Sequence, residues 1–418
     1  MRVLFDILLV VISTLIIGNA YKNLVSFKNL SMATYVIFIC YVFNCVPVLL
    51  DLCVGRPEYV SFYSEFDRAL QNDTVSIVYD LYILVAMLSF YIYSKKIVVS
   101  EQGSEIKYSR KLWLLQDIII ISPLLLYLIF VGDFSNLLLD SLIERNRDSN
   151  AWFWVNNLLF ISLYFFCIRI FGNKKTAFSI IWLLLFLVML TLVSGKRFIV
   201  AVVLIGYLFS FICSQWKIKR DVNLTAILLI VGVFFMAFIV YYITNVKVMG
   251  DYSNYIYTQL RIDFGRDDVT KFVLMREMEG QPILEYRGES VLSLLLMIVP
   301  RFIWPAKPYP HYRYLTAELY GITPDKLQSG MTPSIFEMMV ANFGYLGMII
   351  AIAVILSIVY FGDRLKNPNY KLISLIILIQ LFTQSLDVIL ILFYFFLFMV
   401  ITKRHWLIKK YKSIKRDG

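Results

Sequence analysis

The sequence predicts an all-α polytopic membrane protein of about eleven transmembrane helices with one large extracytoplasmic loop, residues 1–418 forming a single integral membrane domain. Three observations lead there. The chain is 60% hydrophobic with a mean hydropathy of +0.73, whereas soluble domains are nearer half apolar. Its apolar stretches are long and unbroken rather than alternating, which makes helices, not barrel strands, the spanning elements. Lys and Arg are divided unevenly between the short loops, and that sets an orientation.

Taken in order, candidate spans fall near 3–20, 33–53, 75–94, 112–131, 153–171, 176–193, 198–214, 223–243 and 333–361. Each approaches or exceeds the roughly 17 residues that hydrocarbon requires. The last apolar stretch, 372–401, is interrupted by Gln384, Ser385 and Asp387 and suits a hairpin of two short spans. Asp387 is then either a polar hairpin tip or a buried partner for an outer arginine. Gly18-Asn19-Ala20 resembles a signal-peptidase site. Cleavage there would force Lys95, Lys96, Lys107, Arg110 and Lys111 outside, so the first stretch is expected to be a retained anchor. Placing 22–32, 95–111, 172–175, 215–221, 362–371 and 402–418 inside collects 22 basic residues, against 6 in 54–74, 132–152 and 194–197. The C-terminus is therefore expected in the cytoplasm and the N-terminus outside. Cys40, Cys45, Cys53, Cys167 and Cys213 all sit in apolar stretches and show neither a disulfide framework nor metal-ligand spacing.

The loop 244–332 lies outside in this topology yet carries ten basic residues. Long translocated loops escape the charge rule, so the charges ask for another reason. The run SVLSLLLMIVP within the loop is too short to span and is expected to lie along or dip into the outer surface. It leads into VPRFIWPAKPYPHYRYL, a proline-stiffened segment with Arg301, Lys307, His311 and Arg313 among five aromatic residues. QLRIDFGRDD adds Arg261, Asp263, Arg266, Asp267 and Asp268, and SGKR, in a short outer turn, adds Lys196 and Arg197. Individually these cations could snorkel to lipid phosphates beside an aromatic belt. As a set on one membrane face they suit a pyrophosphate, whose oxygens arginine meets with paired planar contacts.

At these residues the chain resembles the Wzy-type O-antigen polymerases, also called oligosaccharide repeat-unit polymerases. The resemblance rests on SGKRFIVAVV after an apolar span, RIDFGRDD early in a large outer loop, VPRFIWPAKP later, and TPSIFEMMVANFGYLG entering the next span. It covers hydropathy over most of the chain and motifs over about residues 190–350; R-F-I-W-P-x-K-P and T-P-S…N-F-G-x-x-G are the most specific runs. The resemblance implies a GT-C class glycosyltransferase of the bacterial inner membrane that needs no metal or cofactor. Its substrates would be undecaprenyl-pyrophosphate-linked oligosaccharides. Its partners would be membrane lipids, a flippase that exports the units and a chain-length regulator of the co-polymerase type, with no role for nucleic acid.

Carried over by motif, Arg261, Arg301 and Arg197 are the expected stabilisers of the leaving pyrophosphate. Lys196, Arg266, Lys307, Arg313 and Asn342 are expected substrate contacts. His311 and Glu337 are the candidate bases for the acceptor hydroxyl, although Glu337 could instead anchor an arginine, and Asp263 and Glu289 are also available. Thr332 is expected to cap the following helix with Pro333 at its first position, while Gly344 and Gly347 would allow close helix packing. Two other readings stand beside the polymerase: an O-antigen ligase of the same superfamily, and a flippase or transporter of lipid-linked sugars. A transporter would be expected to carry polar residues deep in several spans; here the cations gather on one face.

Overall fold

The computed structural model describes residues 1–26, 31–57, 63–97, 110–131, 265–297, 303–327, 330–365, 368–384 and 390–402. Short pieces between these, among them Tyr59, residues 161–166 and Arg261, are also described. Among the described residues the chain is helical and has no strand. Four helices there are long and apolar enough to cross a membrane. They are α1 (Arg2–Val25), the continuous helix Met32–Cys53, α5 (Asp73–Lys96) and α11 (Leu346–Arg364). The membrane class of the protein follows from these; the expected spans at 176–193, 198–214 and 223–243, and most of 153–171, lie outside the described residues. Chain contacts divide the molecule into two compact units, 1–100 with 220–357 and 381–385, and 101–219 with 358–380 and 386–418.

Unit 1 begins with α1, which runs without interruption through Gly18-Asn19-Ala20. The second span consists of α2 (Met32–Cys40), a π-helical turn (Tyr41–Cys45) and α3 (Val46–Cys53). Pro47 follows the π turn, and its missing amide leaves the Phe43 carbonyl without its partner four residues on. That carbonyl instead accepts the Arg266 N–H at 3.1 Å, and the Asn44 carbonyl accepts the Tyr79 hydroxyl at 2.9 Å. A short helix, α4 (Ser64–Gln71), leads into α5, which Asn72 caps through the amides of Thr74 and Val75. Arg2 donates to the Leu70 carbonyl at 2.7 Å and lies 3.8 Å from Asp73. The first residues of α1 and α5 therefore share one end of the unit.

The described part of the long loop packs on that same end. It holds α7 (Asp267–Met278), α8 (Glu289–Leu295) and α9 (His311–Tyr320). Phe66 of α4 meets Phe272 of α7 edge to face, and Arg68 pairs with Glu279 at 2.5 Å. The N-terminus, α4 and α7 are thus grouped together.

The expected span 333–361 is broken. Residues 335–343 form a separate helix, α10 (Ile335–Phe343), buried from Ile335 to Asn342, and only Leu346–Arg364 is long enough to span. Gly344, at φ +61°, makes the turn between them, a conformation that costs glycine little. A Cβ on Gly347 would stand 2.0 Å from the Met339 carbonyl oxygen, so this glycine is where α11 touches the backbone of α10. The N-cap also differs from expectation. Ser334, not Thr332, caps α10, and Glu337 completes a capping box by accepting the Ser334 amide. The serine can adopt extended backbone and offer its oxygen, whereas Thr332 lies two residues before that cap.

In unit 2, α6 (Arg110–Val131) carries Pro123 in its interior. The carbonyl that this proline cannot serve, on Ile119, accepts the Ser122 hydroxyl at 2.8 Å. The last apolar stretch is two helices, α12 (Pro368–Thr383) and α13 (Leu390–Thr402), as a hairpin requires, although α12 begins at one unit and ends in the other.

Candidate functional site

The centre of unit 1 is a buried ionic cluster built around Arg261. Its guanidinium lies 3.1 Å from Asp51, 2.7 Å from Asp267 and 3.0 Å from Asp268, and its side chain is 1% exposed. Asp267 also receives Lys271 at 2.9 Å, one turn along α7. Lys271 in turn sits 4.9 Å above the Tyr79 ring. Asp268 accepts the hydroxyl of Tyr59, and the Tyr257 hydroxyl reaches Asp51 at 3.1 Å. A Cβ on Gly265 would fall 2.7 Å from Arg261 Nη1, so the glycine of RIDFGRDD is the space the guanidinium needs.

These groups differ in charge state. Burial acts to raise the Asp267 carboxyl, but Arg261 and Lys271 outweigh it and hold it below the usual carboxylate range. Burial pushes Asp268 up to about 7, because Arg261 compensates only in part and the Asp267 charge opposes ionisation. Lys271 remains above its ordinary value, since Asp267 and Asp51 more than offset its burial. The cluster is an internal charge network with one carboxyl poised near neutrality.

A second polar network lies under α8 and is neutral. Asn342 Nδ2 donates to Ser290 Oγ at 2.7 Å, and the Val291 amide donates to Asn342 Oδ1 at 3.2 Å. Ser290 Oγ is 3.4 Å from His311 Nδ1, and Ser293 donates to the Pro308 carbonyl at 2.9 Å. His311 is 2% exposed, and burial pushes it down to about 3, so the ring is uncharged at neutral pH.

The predicted site residues thus differ in where they lie. Arg261 and Arg266 are inside the unit: Arg266 donates to the Gly265 carbonyl at 3.1 Å and lies over the Phe43 ring at 6.0 Å. His311, Glu337 and Asn342 are buried too, the first and last in one network and Glu337 in its capping box. Lys307 is committed to the loop itself, donating to the carbonyls of Met297 and Val299 at 3.0 and 2.9 Å. Arg313 is partly exposed, 5.2 Å above the Tyr309 ring. Lys196, Arg197, Arg301, Asp263 and Asp387 lie outside the described residues.

The structure adds Asp51, Tyr59, Lys271 and Ser290, none of which the sequence reading selected. Asp51 had a signal, an acid at the end of an apolar span, and Lys271 had its spacing from Asp267. Ser290 had none, being one serine in an apolar run. No family model, curated protein or solved structure matches the chain.

Proposed function

We propose that the chain polymerises undecaprenyl-pyrophosphate-linked oligosaccharide repeat units at the outer face of the bacterial inner membrane. The observation that supports this reading is that two motif runs far apart in sequence pack on each other. RIDFGRDD opens α7, TPSIFEMMVANFGYLG forms α10 and its turn, and the two helices are in contact. Between them Arg287 joins Glu277 of α7 at 2.5 Å to the Ala341 carbonyl of α10 at 3.1 Å.

In this reading the acceptor hydroxyl oxygen attacks the anomeric carbon of the growing glycan as its proton passes to water. The bond from that carbon to the pyrophosphate oxygen breaks, and undecaprenyl pyrophosphate leaves. Arg261 and Arg266 act on the reaction indirectly, by holding α7 in place, because their guanidinium groups are enclosed. Contact with the developing negative charge is assigned by motif to Arg301 and Arg197, with Arg313 as a secondary contact. The cytoplasmic C-terminus, the flippase and the chain-length regulator belong to the same proposal.

The test is a deletion strain of the source organism complemented with this gene. The expected phenotype is loss of the surface polysaccharide ladder with accumulation of single lipid-linked repeat units, both reversed by complementation. Accumulation of long lipid-linked polymer would identify a ligase instead. An unchanged ladder on deletion would end the polymerase reading.

A further inference from the structure

We propose that α8 and the turn beyond it are immersed in the acyl region of one lipid leaflet, as a helix that enters the membrane without crossing it. The proposal rests on the membrane class of the chain and is independent of the reaction proposed above.

Helix α8 is inside out. Ser290 and Ser293, three residues apart and therefore on one face, are 1% and 2% exposed. On the other side Leu292, Leu295 and Leu296 are 43%, 55% and 36% exposed, and Ile303 beyond the helix is 65% exposed. A helix in water turns its apolar stripe to the core. This one cannot rotate to do so, because its polar face is fixed by directional bonds: Ser290 and the Val291 amide to Asn342, and Ser293 to the Pro308 carbonyl.

The occupant of the leucine face is identified by what adjoins it. Asn342, to which α8 is pinned, is followed by Phe343, Tyr345, Leu346 and Ile349, all exposed. These residues lead from α10 into α11, a helix with the length and hydropathy of a membrane span. On a chain of the membrane class, phospholipid acyl chains are the partner that covers both the α8 leucines and the exposed residues of α11. The edge has the chemistry of a headgroup zone: Tyr286 and Tyr345 are exposed, and the Arg287 side chain is 45% exposed. Seven helical residues measure about 11 Å at 1.5 Å each, enough to lie within a leaflet and too short to cross.

The test places a fluorescent amino acid at position 295 in the purified full-length chain, reconstituted in phosphatidylglycerol–phosphatidylethanolamine vesicles. Parallel samples carry it at position 349 on α11 and at position 326, where Lys326 is exposed in the loop. Quenching by nitroxide-labelled acyl chains is compared with quenching by aqueous iodide. Position 295 is expected to follow position 349, with lipid quenching several-fold stronger than iodide quenching, and position 326 to show the reverse. Iodide quenching at 295 equal to that at 326 would overturn the proposal. So would quenching at 295 by neither agent while 349 responds to lipid, because protein would then cover the leucines. Failure of 349 to respond to lipid would remove α11 from the membrane and the proposal with it.

Discussion

Helices α7 and α8 belong to the same loop and depart from the ordinary rule of burial in opposite directions. Along α7, Asp267, Asp268 and Lys271 are buried. Along α8 the leucines are exposed and the serines are inside. The two interiors differ as well. Under α7 the groups are ionisable and paired, with Arg261 shared among three acidic side chains, one of which, Asp268, burial raises to about 7. Under α8 they are neutral and joined by hydrogen bonds among Ser290, Asn342 and a His311 that burial keeps uncharged. The difference teaches that polarity in this loop is sorted by available partners, not by distance from water. A buried charge is tolerated where counter-charges are already fixed, and a buried hydroxyl where an amide is waiting.

The largest effect should come from the charged side. Arg261→Ala leaves Asp51, Asp267 and Asp268 facing one another without their shared cation. Breaking a buried pair in this way costs about 3–5 kcal/mol, and the expected result is a sharply lower thermal midpoint in detergent together with less protein in the membrane. Arg261→Lys should recover only part of the loss, because a compact ammonium cannot bridge three carboxylates. An Arg261→Ala chain of parental stability would mean that the arginine is held ready for a ligand and is not the centre of a frame.

The neutral side should respond to acid. The folded-state value of His311 is about 3, against 6.5 ordinarily. Between those values the unfolded chain binds the extra proton and the folded chain does not, so stability falls as pH drops through the window. The slope approaches about 1.4 kcal/mol per pH unit for a single group. Asp268, raised to about 7, works in the opposite sense and loses its contribution as pH rises toward that value. The measurement is therefore the difference between parent and His311→Asn, followed from pH 7 to pH 4.5 in detergent. The advantage of the parent should shrink steadily on acidification; a constant difference would mean that the ring is not held neutral.

The smallest effects test the inversion of α8 directly. Ser293→Leu introduces bulk at a position 2% exposed and removes a hydrogen bond to Pro308, at a cost of about 1–3 kcal/mol. Leu295→Ser, at 55% exposure, should change detergent stability by less than about 0.5 kcal/mol. In a water-facing helix of ordinary amphipathicity the order would be reversed, so thermal midpoints of the two variants side by side decide which face is inner.

The spans were legible wherever an apolar run had no second interpretation. Helices α1 and α5 begin and end within a few residues of expectation, and the interrupted stretch at 372–401 does hold two helices. The break at Gly344 was not legible, because a glycine in an apolar run reads equally as a packing residue and as a turn. Only its positive φ separates the two. For the site, the close spacing of Arg261 and Asp267 was readable from RIDFGRDD, and the two are paired at 2.7 Å. The depth of that pair was not, because charged runs are usually solvated and nothing local announces that Asp51, some two hundred residues earlier, supplies the third wall. Ser334-x-x-Glu337 carried a capping-box signal, but Pro333 offered a competing first helical position and placed the start of α10 too early.

Pro47 has a consequence for how the loop is held. By denying the Phe43 carbonyl its internal partner, it leaves one open acceptor on the second span, and the amide that fills it belongs to Arg266. The acceptor is synthesised more than two hundred residues before its donor. In the folded chain that carbonyl is met by a residue of the later loop, so the loop helps complete the hydrogen bonding of an earlier helix. A single ring in an early helix thereby gives the later loop a fixed backbone contact to dock against.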